Sequence, residues 1–145
     1  MPILAGQVVT AAQLNRLQPK GYHAIGSGTV VGAVTNGDVP DATVTFTTET
    51  AGATYKAWAV WDVDIGPSPT TGTGTARISV DGTVVSPLAT FGQEVPTDRL
   101  TVSQNYSGVL AAAGSHTLKL VASPAANQTI QGANSTITVI ITEAI

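Results

Sequence analysis

The side chains best spaced to do chemistry are Asp62 and Asp64, near the end of the stretch ATYKAWAVWDVDI that runs from Ala53 to Ile65. Alternate residues of a strand share a face, so the two carboxylates would stand roughly 7 Å apart by strand rise. Such a pair could serve glycoside hydrolysis, could hold a calcium ion, or could be the solvated end of a strand. The last is expected, because the strand runs directly into Gly66 to Gly74, GPSPTTGTG, a surface loop of Pro, Gly and Thr. The two histidines, His23 and His116, lie far apart in sequence, and no His-x-x-His or Glu spacing supplies a third zinc ligand. His116, two residues past Gly114, is expected to bond the backbone of its own turn.

Other catalytic arrangements are missing from the sequence. There are no cysteines, which removes thiolate zinc sites, disulfide scaffolds and cysteine nucleophiles together. No Gly-x-Ser-x-Gly elbow occurs, and the glycines sit in Thr-rich turns rather than before a helix and a lysine. The expectation is a protein that is not an enzyme and carries neither cofactor nor metal.

The elements that would position these residues read as strands and turns. In Ala53 to Ile65, Tyr55, Ala57, Ala59, Trp61, Val63 and Ile65 share one face, while Trp58 and Val60 make the other apolar before it turns polar at Asp62 and Asp64. A strand apolar on both faces is expected at the centre of a sheet, with a core on one side and a second layer or another subunit on the other. Trp58 and Val60 are therefore the candidate subunit contact. Asp81-Gly82 between Thr75–Val80 and Thr83–Phe91 is the preferred two-residue hairpin turn, with Pro87 expected to interrupt the second arm and push it to an edge. Further strands are expected over 23–34, 42–50, 99–110, 115–123 and 136–142. About eight strands at short spacing predict an all-β fold, a two-sheet antiparallel sandwich of jelly-roll type, with a closed barrel as the alternative.

Residues 1–21 read differently, as an N-terminal arm ahead of a sandwich spanning 22–145. Thr10 is a helix N-cap with Gln13 three positions on, Val9 and Leu14 are spaced as a hydrophobic staple, and Pro19 and Gly21 stop the helix after about Leu17. So short a helix is not stable alone in water and must dock on something. Val8, Val9, Leu14 and Leu17 are the candidate docking residues.

The totals narrow the partners. The 145 residues suit one domain and are enough to bury a core unaided. Charged residues are only 10% of the chain and the net charge is −3, so a nucleic-acid footprint is absent. With a mean hydropathy of +0.23, the surface must be largely Thr, Ser, Ala and Gly, which is easily desolvated and favours assembly. No apolar run is long enough for a membrane helix, and MPILAGQVVT lacks the basic and apolar regions of a secretion signal.

The opening Ala5-Gly6-Gln7-Val8-Val9-Thr10-Ala11-Ala12-Gln13-Leu14-Asn15 resembles the AGQ-x-[LV]-T-A-A-x-[LM]-N start of many small virion structural proteins of tailed bacteriophages, especially those of actinobacteria. Ala113-Gly114-Ser115-His116-Thr117-Leu118 is similar to the AG-x-H-T-[LV] turn and strand near the end of many jelly-roll and sandwich domains. The resemblance implies a β-rich head-decoration or minor tail protein. It further implies an oligomer, a homotrimer being expected, bound through its arm to the major capsid protein on the capsid exterior, or else to tail proteins. The rival expectation from the same family is a tail-tip protein that binds a host-surface glycan.

Overall fold

The computed structural model describes residue 6 and residues 8–66 and 72–144. Ala5, Gln7 and most of the expected 66–74 loop thus lie outside the described residues. The chain opens with helix α1 (Ala11–Leu17) and continues through eleven strands: β1 (Lys20–Ile25), β2 (Thr29–Val31), β3 (Gly37–Thr48), β4 (Ala53–Ile65), β5 (Gly74–Val80), β6 (Thr83–Val84), β7 (Ala89–Phe91), β8 (Arg99–Leu110), β9 (Gly114–Ser123), β10 (Gln128–Gln131) and β11 (Thr136–Thr142).

These strands form a two-sheet antiparallel β-sandwich. The six-stranded sheet runs β1-β11-β4-β10-β2 with β8 on the other side of β4, and the five-stranded sheet runs β3-β9-β5-β6 with β7 also on β5. Strand β4 spans the expected Ala53–Ile65 and is central, paired with β8 along its whole length and with β11 and then β10 opposite. Its odd-numbered side chains from Tyr55 to Val63 are buried in one core with Phe46, Ile78, Leu118, Leu120, Ile137 and Val139, and Ile65 is buried at the end of the strand. Tyr22 on β1 stacks on Phe46 on β3 with ring centroids 5.1 Å apart, joining the sheets at that side. Gly108 on β8 lies opposite Tyr55, and a Cβ there would come within 2.7 Å of the Tyr55 ring and hydroxyl.

Among the described residues eleven strands stand where about eight were expected, for local reasons. The expected 23–34 strand divides into β1 and β2: the Gly26 N–H still donates to the Ser135 carbonyl at 2.8 Å, but the next N–H, of Ser27, turns to the Pro40 carbonyl at 2.8 Å. Residues 128–131 form the short β10, whose polar ends hide it in sequence. The Asp81-Gly82 turn is present, with φ of 50° and 83°, as a two-residue hairpin loop requires. Past Val84 the second arm breaks around Pro87 and re-pairs with β5 as β7, on the edge.

Candidate interaction surface

The carboxylates near the end of β4 are not a solvated pair. Asp62 is buried, 4% exposed, a correction to the sequence expectation. Its oxygens accept from Arg99 Nε at 2.9 and 3.1 Å, from Arg99 Nη2, and from Asn134 Nδ2 at 2.8 Å. The Arg99 hydrogen bonds hold the Asp62 carboxyl below its ordinary range against the opposing effect of burial, with Asn134 assisting. Asp64 accepts from Gln131 Nε2 at 3.4 Å. A buried carboxylate held by a guanidinium and an amide ties parts of the chain distant in sequence together. Among the described residues no three His, Asp or Glu side chains converge as metal ligands.

His23 is exposed, with Nδ1 2.9 Å from Thr138 Oγ1. His116 is buried, and its Nε2 lies 3.1 Å from the Ala112 carbonyl, which fits the expected bond to its own turn. Sequence reasoning missed its second partner: Nδ1 is 2.7 Å from Asp81 Oδ2, and Asp81 Oδ1 accepts from the Thr117 N–H at 2.8 Å. Both ring nitrogens thus face oxygen atoms, and the ring ties the β5–β6 turn to the turn before β9. Burial pushes the Asp81 carboxyl up, but the His116 and Thr117 hydrogen bonds outweigh it and leave the group below its ordinary value.

Another missed residue is Glu143, whose carboxylate is buried just past β11. It accepts from the N–H groups of Glu49 at 2.9 Å and Thr50 at 3.1 Å and from Lys20 Nζ at 3.2 Å. Burial raises this carboxyl, and the two N–H donors with the Lys20 ammonium more than reverse that. Only the chain's return to the β3–β4 turn creates the site.

What remains open is surface, and it is ordered. Four registered rows cross the outer face of the larger sheet: His23-Thr138-Trp58-Asn105, Ile25-Thr136-Val60-Ser103, Gly21-Ile140-Lys56-Ser107 and Thr142-Thr54-Val109. Trp58 is 40% exposed, Val60 is half-buried and Val109 is 65% exposed. None of the described chain forms a second layer over Trp58. A shallow hollow of about 250 Å³ lies on the β8 side of its ring, lined by Lys56, Asn105 and Ser107. A second hollow, of about 350 Å³, lies on the β11 side against Pro19, Thr54, Ile140 and Thr142.

The arm supplies a further surface. Thr10 and Gln13 form the expected capping box, with the Gln13 N–H donating to Thr10 Oγ1 at 3.2 Å and the Thr10 N–H to Gln13 Oε1 at 2.9 Å. Helix α1 nevertheless buries none of its residues. Val8 is 83% and Leu14 55% exposed, Val9 and Leu17 are half-buried, and an Arg16–Glu49 ion pair at 3.1 Å links the helix to the end of β3.

Fold and surfaces together define an antiparallel β-sandwich with an open, nearly uncharged sheet face and a capped apolar arm. No protein-family model matches the chain, and no curated protein matches it by sequence. Among solved structures, dimeric latent PorU from Porphyromonas gingivalis is similar at a TM-score of 0.50 and 8% identity, over 86% of this chain and 13% of that one. The chain therefore spans only a small part of the PorU chain, and the likeness is one of fold alone. The C-terminal domain of EclA, a sugar-binding protein, is similar at 0.37 and 16% identity, covering 96% of this chain and 81% of that one. CBM35 from Paenibacillus barcinonensis gives 0.36 and 12%, covering 86% and 99%. At those scores neither bears on what this chain binds.

Proposed function

We propose that the chain is a non-enzymatic virion structural protein of a tailed phage, an oligomeric decoration protein held to the outside of the capsid shell by its N-terminal arm. One observation carries this reading: α1 is a correctly capped helix none of whose residues is fully buried in its own domain, and Leu14 on it and Val8 just before it stand exposed. Val8 and Leu14 then have a purpose as apolar anchors on another protein, and the opening that resembles phage virion proteins falls on this same segment. A stable junction needs on the order of 1,000 Å² or more of buried surface, and many weak copies on one shell add by avidity. The test is binding of the purified protein to undecorated shells assembled from the major capsid protein. A Val8→Asp/Leu14→Asp variant should lose binding while keeping the wild-type melting temperature. Equal binding by both proteins would refute the arm's role.

A second reading is favoured by Trp58. Its ring stands between two shallow hollows with Lys56, Asn105 and Ser107 as hydrogen-bonding neighbours. An aromatic plane with a few convergent polar groups suits a sugar ring, as in a tail-tip protein that binds a host-surface glycan. Trp58→Ala would abolish binding to host cell-wall glycans under this reading and leave shell binding intact.

A further inference from the structure

The long edge of β8 is chemically unprotected, and we infer that it pairs with β8 of a second copy, antiparallel about Asn105, to continue the larger sheet across a two-fold axis. The reasoning begins with where its backbone points. The Ile65 N–H donates to the Asp98 carbonyl at 3.0 Å, immediately before β8, and the Gly52 N–H donates to the Leu110 carbonyl at 2.9 Å. Ladder bonds to β4 therefore fall on the even-numbered residues, and antiparallel alternation turns the N–H and C=O of Thr101, Ser103, Asn105, Ser107 and Val109 to the open side. Of the groups on that side, the Arg99 N–H is taken by Asp98 Oδ1, and the Asn105 carbonyl accepts Gln104 Nε2 at 3.3 Å on one of its two lone pairs, leaving the other for a partner strand. No other strand pairs with this side of β8 among the described residues.

Natural sheets blunt such edges with proline, bulges, inward charges or short strands. The other edges here are treated in those ways. Strand β3 carries Pro40 and a register shift between Asp38 and Thr43, with Asp41 at a φ of 59°. Strand β1 packs beside β3, where the Ser27 N–H donates to the Pro40 carbonyl at 2.8 Å. Strands β2, β6 and β7 are each three residues or fewer. From Leu100 to Leu110, by contrast, β8 runs in unbroken register with no proline and no charged side chain.

The second copy is favoured over a foreign strand because the sequence of β8 is compatible with itself in this register. A two-fold at Asn105 sets Asn105 against Asn105, Ser103 against Ser107 and Thr101 against Val109 on the outer face. On the inner face it sets Leu100 against Leu110, Val102 against Gly108 and Gln104 against Tyr106. No like charges meet, every outward N–H faces a carbonyl, and the 65% exposed Val109 gains a cover. The Trp58 rows of the two copies then join through Asn105 into one broad face. Such a junction gives a two-fold assembly, in place of the three-fold one that the family resemblance implies.

The absence of cysteine makes the test clean. Residues facing each other in a hydrogen-bonded antiparallel pair have Cα atoms about 5.5 Å apart, within disulfide range. Purified wild-type protein should sediment at twice the chain mass of 14.6 kDa. Asn105→Cys should form a covalent dimer on mild oxidation, while Thr47→Cys, exposed on the other sheet, should not. Ser103→Pro, which removes an outward N–H that folding does not use, should yield a folded monomer. A monomer at all concentrations would overturn the inference. So would an oligomer that survives Ser103→Pro and in which the Asn105→Cys variant crosslinks no faster than the Thr47→Cys variant.

Discussion

Trp58 and Asn105 stand directly opposite each other on β4 and β8, on the open face of the larger sheet. Trp61, three residues along the same strand, is fully buried between the sheets. One strand thus carries a tryptophan for the core and a tryptophan for the surface. Trp58→Ala, at a site already 40% exposed, should cost clearly less stability than Trp61→Ala, which should cost about 3–5 kcal/mol, the range for emptying a core aromatic site. Chemical denaturation of the two variants checks this. Acrylamide should quench the wild-type fluorescence through Trp58, and a partner that covers the face should reduce that quenching.

Asp62 acts as a structural anchor. Asp62→Asn should lower stability by roughly 1–3 kcal/mol, the scale of a lost charged hydrogen-bond set, with no change in any glycan-hydrolysing activity assayed alongside. Thermal melts and a reducing-sugar assay decide it. Loss of a real hydrolytic activity in the variant would contradict the structural role.

Acid should loosen the fold. Asp62, Asp81 and Glu143 all titrate below their ordinary values in the folded chain. A depressed folded value means that the native state holds the proton less tightly than the unfolded state. Each group therefore adds stability above its unfolded value, near 4, and that stability is lost as pH falls through the lower folded value. Unfolding free energy measured from pH 6 to pH 2 should decline most steeply below about pH 4. Glu143→Gln should flatten part of that decline.

Gly108→Ala should destabilise the protein by about 1–3 kcal/mol, because the added methyl meets the buried Tyr55 ring across the ladder. Gly21→Ala, where nothing lies within 4 Å of the new Cβ, provides the comparison and should be near neutral. Differential scanning calorimetry of the two variants checks both.

The sandwich was legible wherever local chemistry decides structure. Period-two alternation with apolar residues on both faces marked β4 as central, Asp81-Gly82 marked its hairpin because both positions need positive φ, and Thr10 with Gln13 marked the helix start. The candidate site was legible only in part. Trp58 and Val60 could be placed on the outer face, and Val8, Val9, Leu14 and Leu17 on the arm. The partners of Asp62, however, come from 37 and 72 residues away. Those of Glu143 lie 93, 94 and 123 residues away. No local pattern encodes such pairings. The open side of β8 was equally hidden, since alternation along a strand reports which face is buried and says nothing of which edge is paired.

The most direct test of the proposed virion role is cryo-electron microscopy of intact particles of the proposed phage. Density for the sandwich at many symmetry-related positions over the shell, with α1 seated on the major capsid protein, is the expected result. A few copies confined to the tail end would contradict decoration and favour glycan binding through Trp58, and absence from the particle would contradict a virion role altogether.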